Sequence, residues 1–310
     1  MPNTVTAPLP RPQTGRQLRV TVLLGGPSAE REVSLQSGRA IAEGLRKRGH
    51  EVFESDIGPD NLVALDRAAD VVFPALHGPF GEDGTLQSIM EQRRLRFVGS
   101  GSRASATAMD KAATKRIAER VGALTPEYEV VTAGQIPSIA PPIVVKPIDQ
   151  GSSVGTAIVR QAANLGTALE NVIRPYGRAL IERFIPGDEI TVGIVGEETL
   201  PPICIRPKRE FYDYEAKYLA DDTEYLFDAG YPQPVLDEAR RLSKRVFDEL
   251  GCRHLGRVDW MIDRDHRLWF LEVNTLPGFT SHSLVPKAAA HVGVPFDELV
   301  ERLVFLAATG

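Results

Sequence analysis

The hydrophobic pattern changes period at Pro126, and that change limits the folds open to the chain. Before it, short β-branched runs alternate with helical stretches. Residues 18–24 (LRVTVLL) form an apolar run ending at Gly25-Gly26, as a buried parallel strand does. A helical pattern covers residues 29–48, with Val33, Ala40, Ile41 and Leu45 on one stripe and Gly49 as its stop. Residues 51–55 and 70–76 read as strands, 86–94 as a helix, and 96–98 as a strand before Gly99-Ser100-Gly101. Strands alternating with helices predict an α/β unit with a parallel sheet over residues 18–100. A helix follows, with Asp110 as N-cap and Gly122 as stop. Beyond Pro126, strands at 128–131, 143–146, 155–159 and 179–184 and a helix at 162–172 predict an antiparallel sheet. Strands at 191–195 and 203–207 open a third region, with a polar loop over 210–228 and an amphipathic helix over 234–250. A strand pair and a helix over 296–308 complete the chain.

A chain of 310 residues exceeds what one core organises, so two or three domains are expected. The net charge of −5 gives no reason to expect nucleic acid or an anionic membrane as partner. Cys204 and Cys252 are far apart and lack metal-ligand spacing, which fits a reducing, cytoplasmic compartment without disulfides. No apolar run reaches bilayer length. Residues 1–17, rich in proline and polar side chains, predict a disordered extension rather than a secretion signal.

The segment RVDWMIDRDHRLWFLEVN, residues 257–274, carries the most chemistry. Two apolar runs flank the polar turn 263–267, a hairpin pattern. Side chains alternate faces along a strand, so Arg257 and Asp259 share one face, as do Glu272 and Asn274. Folding about Arg264-Asp265 brings Asp259 nearly opposite Glu272. Facing carboxylates repel, and a hard divalent cation between them removes the conflict. Asp259, Glu272 and Asn274 are the oxygen ligands available to Mg²⁺. The alternative is a solvated sheet face whose charges never meet.

No P-loop motif occurs. Lys146 instead ends an apolar strand, and Gly151-Ser152-Ser153-Val154-Gly155 follows as a small-residue loop whose N–H groups suit a phosphate. An ordinary glycine hairpin with a surface lysine would read the same way. Lys111, at a helix start, has the wrong sign for the helix dipole, which points to an external anion. Residues 99–104 fit the loose pattern G-x-G-x-x-[GA] of dinucleotide sites, but no acidic strand end follows at the expected spacing.

Seven strings occur in order: LLGGPSAEREVS (23–34), ALHGPFGEDGTLQ (75–87), MDKAATK (109–115), VVKPIDQGSSVG (144–155), FYDYEAKYL (211–219), GRVDWM (256–261) and LEVNTLPGFTSHSLVP (271–286). With them the chain resembles D-alanine–D-alanine ligases from about Leu18 to Gly310. The resemblance implies an α/β fold, α+β in its later parts: a three-domain ATP-grasp architecture with an N-terminal parallel-sheet domain. The domains would cover residues 18–100, 101–187 and 188–310, with 210–228 as a lid loop.

The implied reaction joins two D-alanines with ATP through an acyl phosphate. In it Glu30 holds the first ammonium group and forms a triad with Ser152 and Tyr218, while His77 lies nearby. Lys111 and Lys146 would meet the α- and β-phosphates and Lys217 the γ-phosphate, with Ser153 on the phosphate loop. Glu182 and Glu189 match nucleoside positions. Asp259, Glu272 and Asn274 would hold two Mg²⁺ ions, for which Mn²⁺ can substitute. Arg257 and the Gly278 N–H would form an oxyanion hole, and Ser283 with the Leu284 N–H would hold the second carboxylate. Tyr212, Lys217 and Tyr218 sit on the loop, with Tyr212 among the substrate-binding set. The resemblance also implies a cytoplasmic homodimer that feeds peptidoglycan synthesis. Two departures are visible: Gln150 stands before Gly151 where many relatives carry an acid, and the long N-terminal segment has no counterpart. A ligase using D-lactate as second substrate is the near rival, and Lys217-Tyr218 favours an amine nucleophile over it.

Overall fold

A computed structural model of the chain describes residues 16–208 and 223–309. Three parallel strands open it: β1 (Arg19–Leu24), β2 (Glu51–Asp56) and β3 (Val71–Pro74), in the order β2-β1-β3. The central strand β1 is buried along almost its whole length, which is why its sequence is continuously apolar rather than alternating. Helix α1 (Arg31–Lys47) covers the sheet with Val33, Ile41 and Leu45. It starts two residues later than the pattern predicts, because the Glu30 backbone has already left helical dihedrals. The strand expected at 96–98 is only a bridge between Phe97 and Val72. Helices α2 (Thr85–Gln92), α3 (Ser102–Met109) and α4 (Lys111–Arg120) follow, and the Asp110 side chain caps α4 by accepting from the Ala113 N–H at 2.8 Å.

The second sheet is antiparallel: β4 (Tyr128–Thr132), β5 (Ile143–Pro147), β6 (Ala157–Val159) and β7 (Arg178–Arg183), in the order β4-β7-β5-β6. Helix α5 (Leu165–Tyr176) covers it through Ala168 and Val172. The helix predicted over 162–172 is thus a short 3₁₀ turn at Ala162–Asn164 followed by α5.

A third, six-stranded sheet holds β8 (Gly187–Val195), β9 (Glu198–Thr199), β10 (Ile203–Arg206), β11 (Glu224–Leu226), β12 (Leu255–Asp263) and β13 (Leu268–Asn274). Its order is β11-β10-β8-β12-β13, with β9 on β8. Part of the loop expected over 210–228 is therefore strand β11, paired with β10. Tyr212, Lys217 and Tyr218 lie outside the described residues, as do residues 1–15 of the expected N-terminal extension.

Helix α6 (Gln233–Glu249) packs Leu242, Val246 and Phe247 against Trp260 and Phe270. The Trp260 indole, with no exposed surface, donates to Ser243 Oγ at 2.9 Å, so its one polar atom is satisfied in the core. Helices α7 (Leu284–His291) and α8 (Phe296–Thr309) end the chain.

One core joins the two ends of the sequence. Val20, Val22 and Phe73 of the parallel sheet share it with Leu299, Val300, Leu303 and Val304 of α8. Arg48, just past α1, pairs with Glu301 on α8 at 2.6 Å. This packing fixes the first sheet, and the loop that leaves it toward Glu30, against the third sheet.

Candidate active site

Two adjoining cavities gather the residues singled out above. The larger, about 430 Å³, lies between the second and third sheets. Val144, Ile158, Ile185, Met261 and Leu271 give it apolar walls, and Lys111, Lys146, Asp259 and Glu272 give it charge. Apolar walls beside a cluster of charges suit a molecule with a flat base and a polyphosphate tail.

Beneath this cleft lies a buried ionic group. Glu182 is only 2% exposed, and its carboxylate faces Lys115 Nζ at 2.5 Å and Lys146 Nζ at 2.7 Å. Burial alone would protonate Glu182, but the two ammonium groups hold it below the usual carboxylate range. Burial also opposes the charge on Lys146, yet Glu182 and Glu272 keep its affinity for the proton above that of an ordinary lysine. The deeper Lys115, wholly buried, carries the desolvation cost and falls to about 8.

The smaller cavity, about 60 Å³, is lined by Glu30, His77, Ser152, Arg257, Gly278 and Ser283, among others. Glu30 arrives at the N-terminus of α1, and Ser152 on the loop between β5 and β6; Ser152 Oγ donates to Glu30 Oε1. Ser152 and Ser153 both hold left-handed backbone, at φ 50° and 59°, which turns this loop toward Glu30.

His77 follows β3. Its Nδ1 lies 3.2 Å from Glu82 Oε1, and its buried Nε2 has no hydrogen-bond partner among the described residues. Burial disfavours the imidazolium, but Glu82 and Glu30 outweigh that and raise the His77 pKa. Ser283 is the N-cap of α7, and Leu284 is its first residue, so the helix presents its unbonded N–H end here. Acidic groups on one side, with Arg257 and a helix N-terminus on the other, match a small zwitterion.

The hairpin stands as its pattern predicts. Asp259 pairs directly with Glu272 and Arg257 with Asn274, and a register shift follows between Asp259 and Trp260. Each carboxylate is held by a base: Arg257 donates to Asp259 at 2.7 and 2.9 Å, and Lys111 sits 3.2 Å from Glu272. Thr191 also donates to Asp259, at 2.6 Å. Among the described residues no cluster of three or more His, Cys, Asp or Glu side chains forms a metal cage. The set is two carboxylates and the Asn274 amide, whose Oδ1 accepts from the Leu276 N–H at 2.8 Å. Such a sparse set of hard oxygens suits Mg²⁺, which keeps waters and phosphate oxygens for its remaining positions.

Comparison with known proteins names this arrangement. Residues 54–100 match the family model of the D-ala D-ala ligase N-terminus, and residues 125–305 that of the D-ala D-ala ligase C-terminus. A D-alanine–D-alanine ligase of Syntrophotalea carbinolica is 45% identical over 293 residues, which are 93% of this chain and 96% of the relative. The chain belongs to the D-alanine–D-alanine ligase family.

Among solved ligases of similar fold, that of Bacillus anthracis complexed with ATP has a TM-score of 0.81 at 30% identity, covering 94% of this chain and 97% of its own. The VanG D-Ala:D-Ser ligase of Enterococcus faecalis has a TM-score of 0.83 at 25% identity, covering 94% and 100%. The ATP-grasp architecture with an N-terminal parallel sheet, expected of a ligase in this family, is the architecture observed.

Every described residue marked as a site candidate lines one of these cavities or the small recess joining them. Lys111, Lys146, Ser153, Glu182, Glu189 and Asp259 line the cleft. Leu284 lines the smaller pocket, Asn274 lines that pocket and the recess, and Glu272 lines all three. Lys111, which lines the cleft, is paired in this structure with Glu272 and donates to the Gln150 carbonyl at 2.6 Å. The glycine pattern at 99–104 is no dinucleotide loop: Glu91 caps α3 by accepting from the Ser102 N–H at 2.9 Å, so that helix end is already occupied.

Sequence reasoning assigned no role to Glu82 or Lys115. Glu82, five residues after His77 across a glycine turn, carried a usable signal. Lys115 carried little, since a lysine one turn after Lys111 reads as a solvated helix face.

Proposed function

We propose that the chain joins two D-alanine molecules into D-alanyl-D-alanine while converting ATP to ADP and phosphate, for peptidoglycan precursor synthesis. One observation carries the reading: Glu272 lines both the nucleotide-sized cleft and the zwitterion-sized pocket, so a γ-phosphate and an amino-acid carboxylate can meet beside it. The Bacillus anthracis neighbour, solved with ATP, supports giving the cleft to ATP.

In this reading the first D-alanine places its ammonium group at Glu30, near His77, and its carboxylate oxygen attacks the γ-phosphorus of ATP. The P–O bond to ADP breaks and an acyl phosphate forms. The amine of the second D-alanine, whose carboxylate rests on Ser283 and the Leu284 N–H, attacks the acyl carbon. Arg257 and the Gly278 N–H receive the charge developing on oxygen, and phosphate leaves. Lys111, Lys146 and Ser153 attend the phosphates, and Glu182 and Glu189 the nucleoside. Ser152 ties the phosphate loop to Glu30, with Tyr218 of the 210–228 loop as the third member of that triad; from that second loop Lys217 meets the γ-phosphate and Tyr212 joins the substrate-binding set. Magnesium or manganese on Asp259, Glu272 and Asn274 would neutralise phosphate charge during transfer. A cytoplasmic homodimer belongs to the same reading and rests on the resemblance.

The test is ADP release with D-alanine, L-alanine, D-serine and D-lactate in parallel, with and without Mg²⁺, and mass spectrometry of the products. Mg²⁺-dependent turnover yielding D-alanyl-D-alanine is expected. A product made mainly with D-lactate or D-serine would reassign the second substrate, and no D-alanine-dependent ADP release would overturn the reading.

A further inference from the structure

The ion group under the cleft contains one more positive charge than the nucleotide reading uses. Lys115 projects from α4 into a place where β7, β13 and the segment before β4 meet. Its ammonium faces Glu182 on β7 at 2.5 Å, Thr125 Oγ1 at 2.7 Å and the Phe270 carbonyl on β13 at 3.4 Å. The Tyr128 ring on β4 lies 5.5 Å away. Lys146 reaches the other Glu182 oxygen from β5, and Glu272 acts on Lys115 from β13 while itself paired with Lys111.

A wholly buried lysine is costly unless its charge is answered. Here it is answered by a carboxylate that a second lysine already neutralises. With Glu272 paired to Lys111, two ammonium groups against the one buried carboxylate leave this group a single positive charge. Lys146 lines the cleft and Lys115 does not. With Lys115 gone, Glu182 would be balanced by Lys146 alone, and the pair would offer a polyphosphate no net charge.

We propose that Lys115 is a positioning residue for the nucleotide: by sharing Glu182 it keeps the Lys146 ammonium from being cancelled there and so leaves it available to phosphate. The inference rests on the ATP reading of the cleft and adds to it a residue that does not line that cleft. The proton affinity of Lys115, lowered to about 8 by burial, leaves it mostly charged at neutral pH, as this role requires.

Calorimetric titration of the full chain with Mg·ATP, without D-alanine, separates this role from plain packing. Lys115→Met should weaken ATP binding by about tenfold or more, the usual scale for a charge-assisted contact. The KM for D-alanine should stay within about twofold of wild type. In a Glu182→Gln background the same change should cost less than about twofold, because the carboxylate to be balanced is gone. An equal loss in both backgrounds means Lys115 only fills space and overturns the proposal. Should Lys115→Met fail to fold, Lys115→Gln removes the same charge and keeps a donor for Thr125 and the Phe270 carbonyl. A rise of about tenfold in Kd is then expected, falling below about twofold with Glu182→Gln; an unchanged Kd overturns the proposal. If the wild-type chain binds no ATP, the functional reading of the cleft falls, and this inference with it.

Discussion

Replacing Gly278 by alanine tests where the amino acid sits. Gly278 lies outside the left-handed backbone region, so alanine costs the chain no backbone strain. Its new methyl would stand 3.0 Å from Ser283 Oγ and 3.8 Å from His77 Nε2, in the gap the substrate is held to occupy. Ser283 cannot simply withdraw, because its Oγ already accepts from the Thr280 N–H at 2.8 Å. Overpacking of this size costs about 1–3 kcal/mol. Felt by bound substrate, that is a loss of about 5- to 150-fold in kcat/KM for D-alanine, with KM for ATP little changed. ADP release coupled to NADH oxidation, at saturating ATP and varied D-alanine, reads both parameters, and thermal unfolding confirms the variant is folded. A folded Gly278→Ala enzyme with wild-type kcat/KM for D-alanine would refute the placement of substrate between His77 and Ser283.

Two further outcomes follow from the same geometry. Glu272→Gln removes a charge shared by both cavities and should lower kcat by about 10²-fold or more with circular dichroism unchanged; near-normal turnover would remove the hairpin from the metal site. The affinity for ATP should decline above about pH 8 as Lys115 loses its proton, and a Lys115→Met profile of kcat/KM for ATP should lack that decline.

His254, half-buried, is lowered to about 4 by desolvation and by Arg253, and it accepts from the Gly99 N–H at Nδ1, so the fold needs it neutral. The unfolded chain takes up that proton below about pH 6.5, so stability is lost as pH falls from there toward 4. Urea unfolding at pH 7 and pH 5 should show wild type losing about 2 kcal/mol more than His254→Asn. Asparagine tolerates the φ of 63° at this position. An equal loss in the two proteins would exclude His254 as the acid-sensitive group.

The parts of this molecule that sequence reveals are those fixed by local periodicity. Asp259 and Glu272 could be placed opposite each other because alternation sets their face and a five-residue polar turn sets the fold-back, and the register agrees. The buried strand β1 declared itself by an apolar run with no polar interruption. Pairing over distance leaves no such trace. Strand β11 is three residues long and exists only because β10 offers it an edge, so a charged stretch before it reads as continuous loop. Helix α3 is short, built mainly of small and polar residues, and preceded by glycines, which is equally the pattern of a phosphate loop. What decides between them is Glu91, eleven residues upstream of Ser102 and brought to it by α2.

Lys115 shows the same limit at the level of charge. Lys111 and Lys115 are one turn apart on α4, and helical spacing cannot distinguish them. Position in the fold does: Lys111 reaches the cavities and Lys115 ends under the cleft floor, against the carboxylate that Lys146 also needs. The electrostatics of the nucleotide cleft are therefore set by a residue outside it. Any engineering of ATP affinity in this family member that varies only cleft-lining positions leaves that charge untouched. A change at Glu182 alone alters two lysines at once, so its effect on ATP binding has meaning only beside the corresponding change at Lys115.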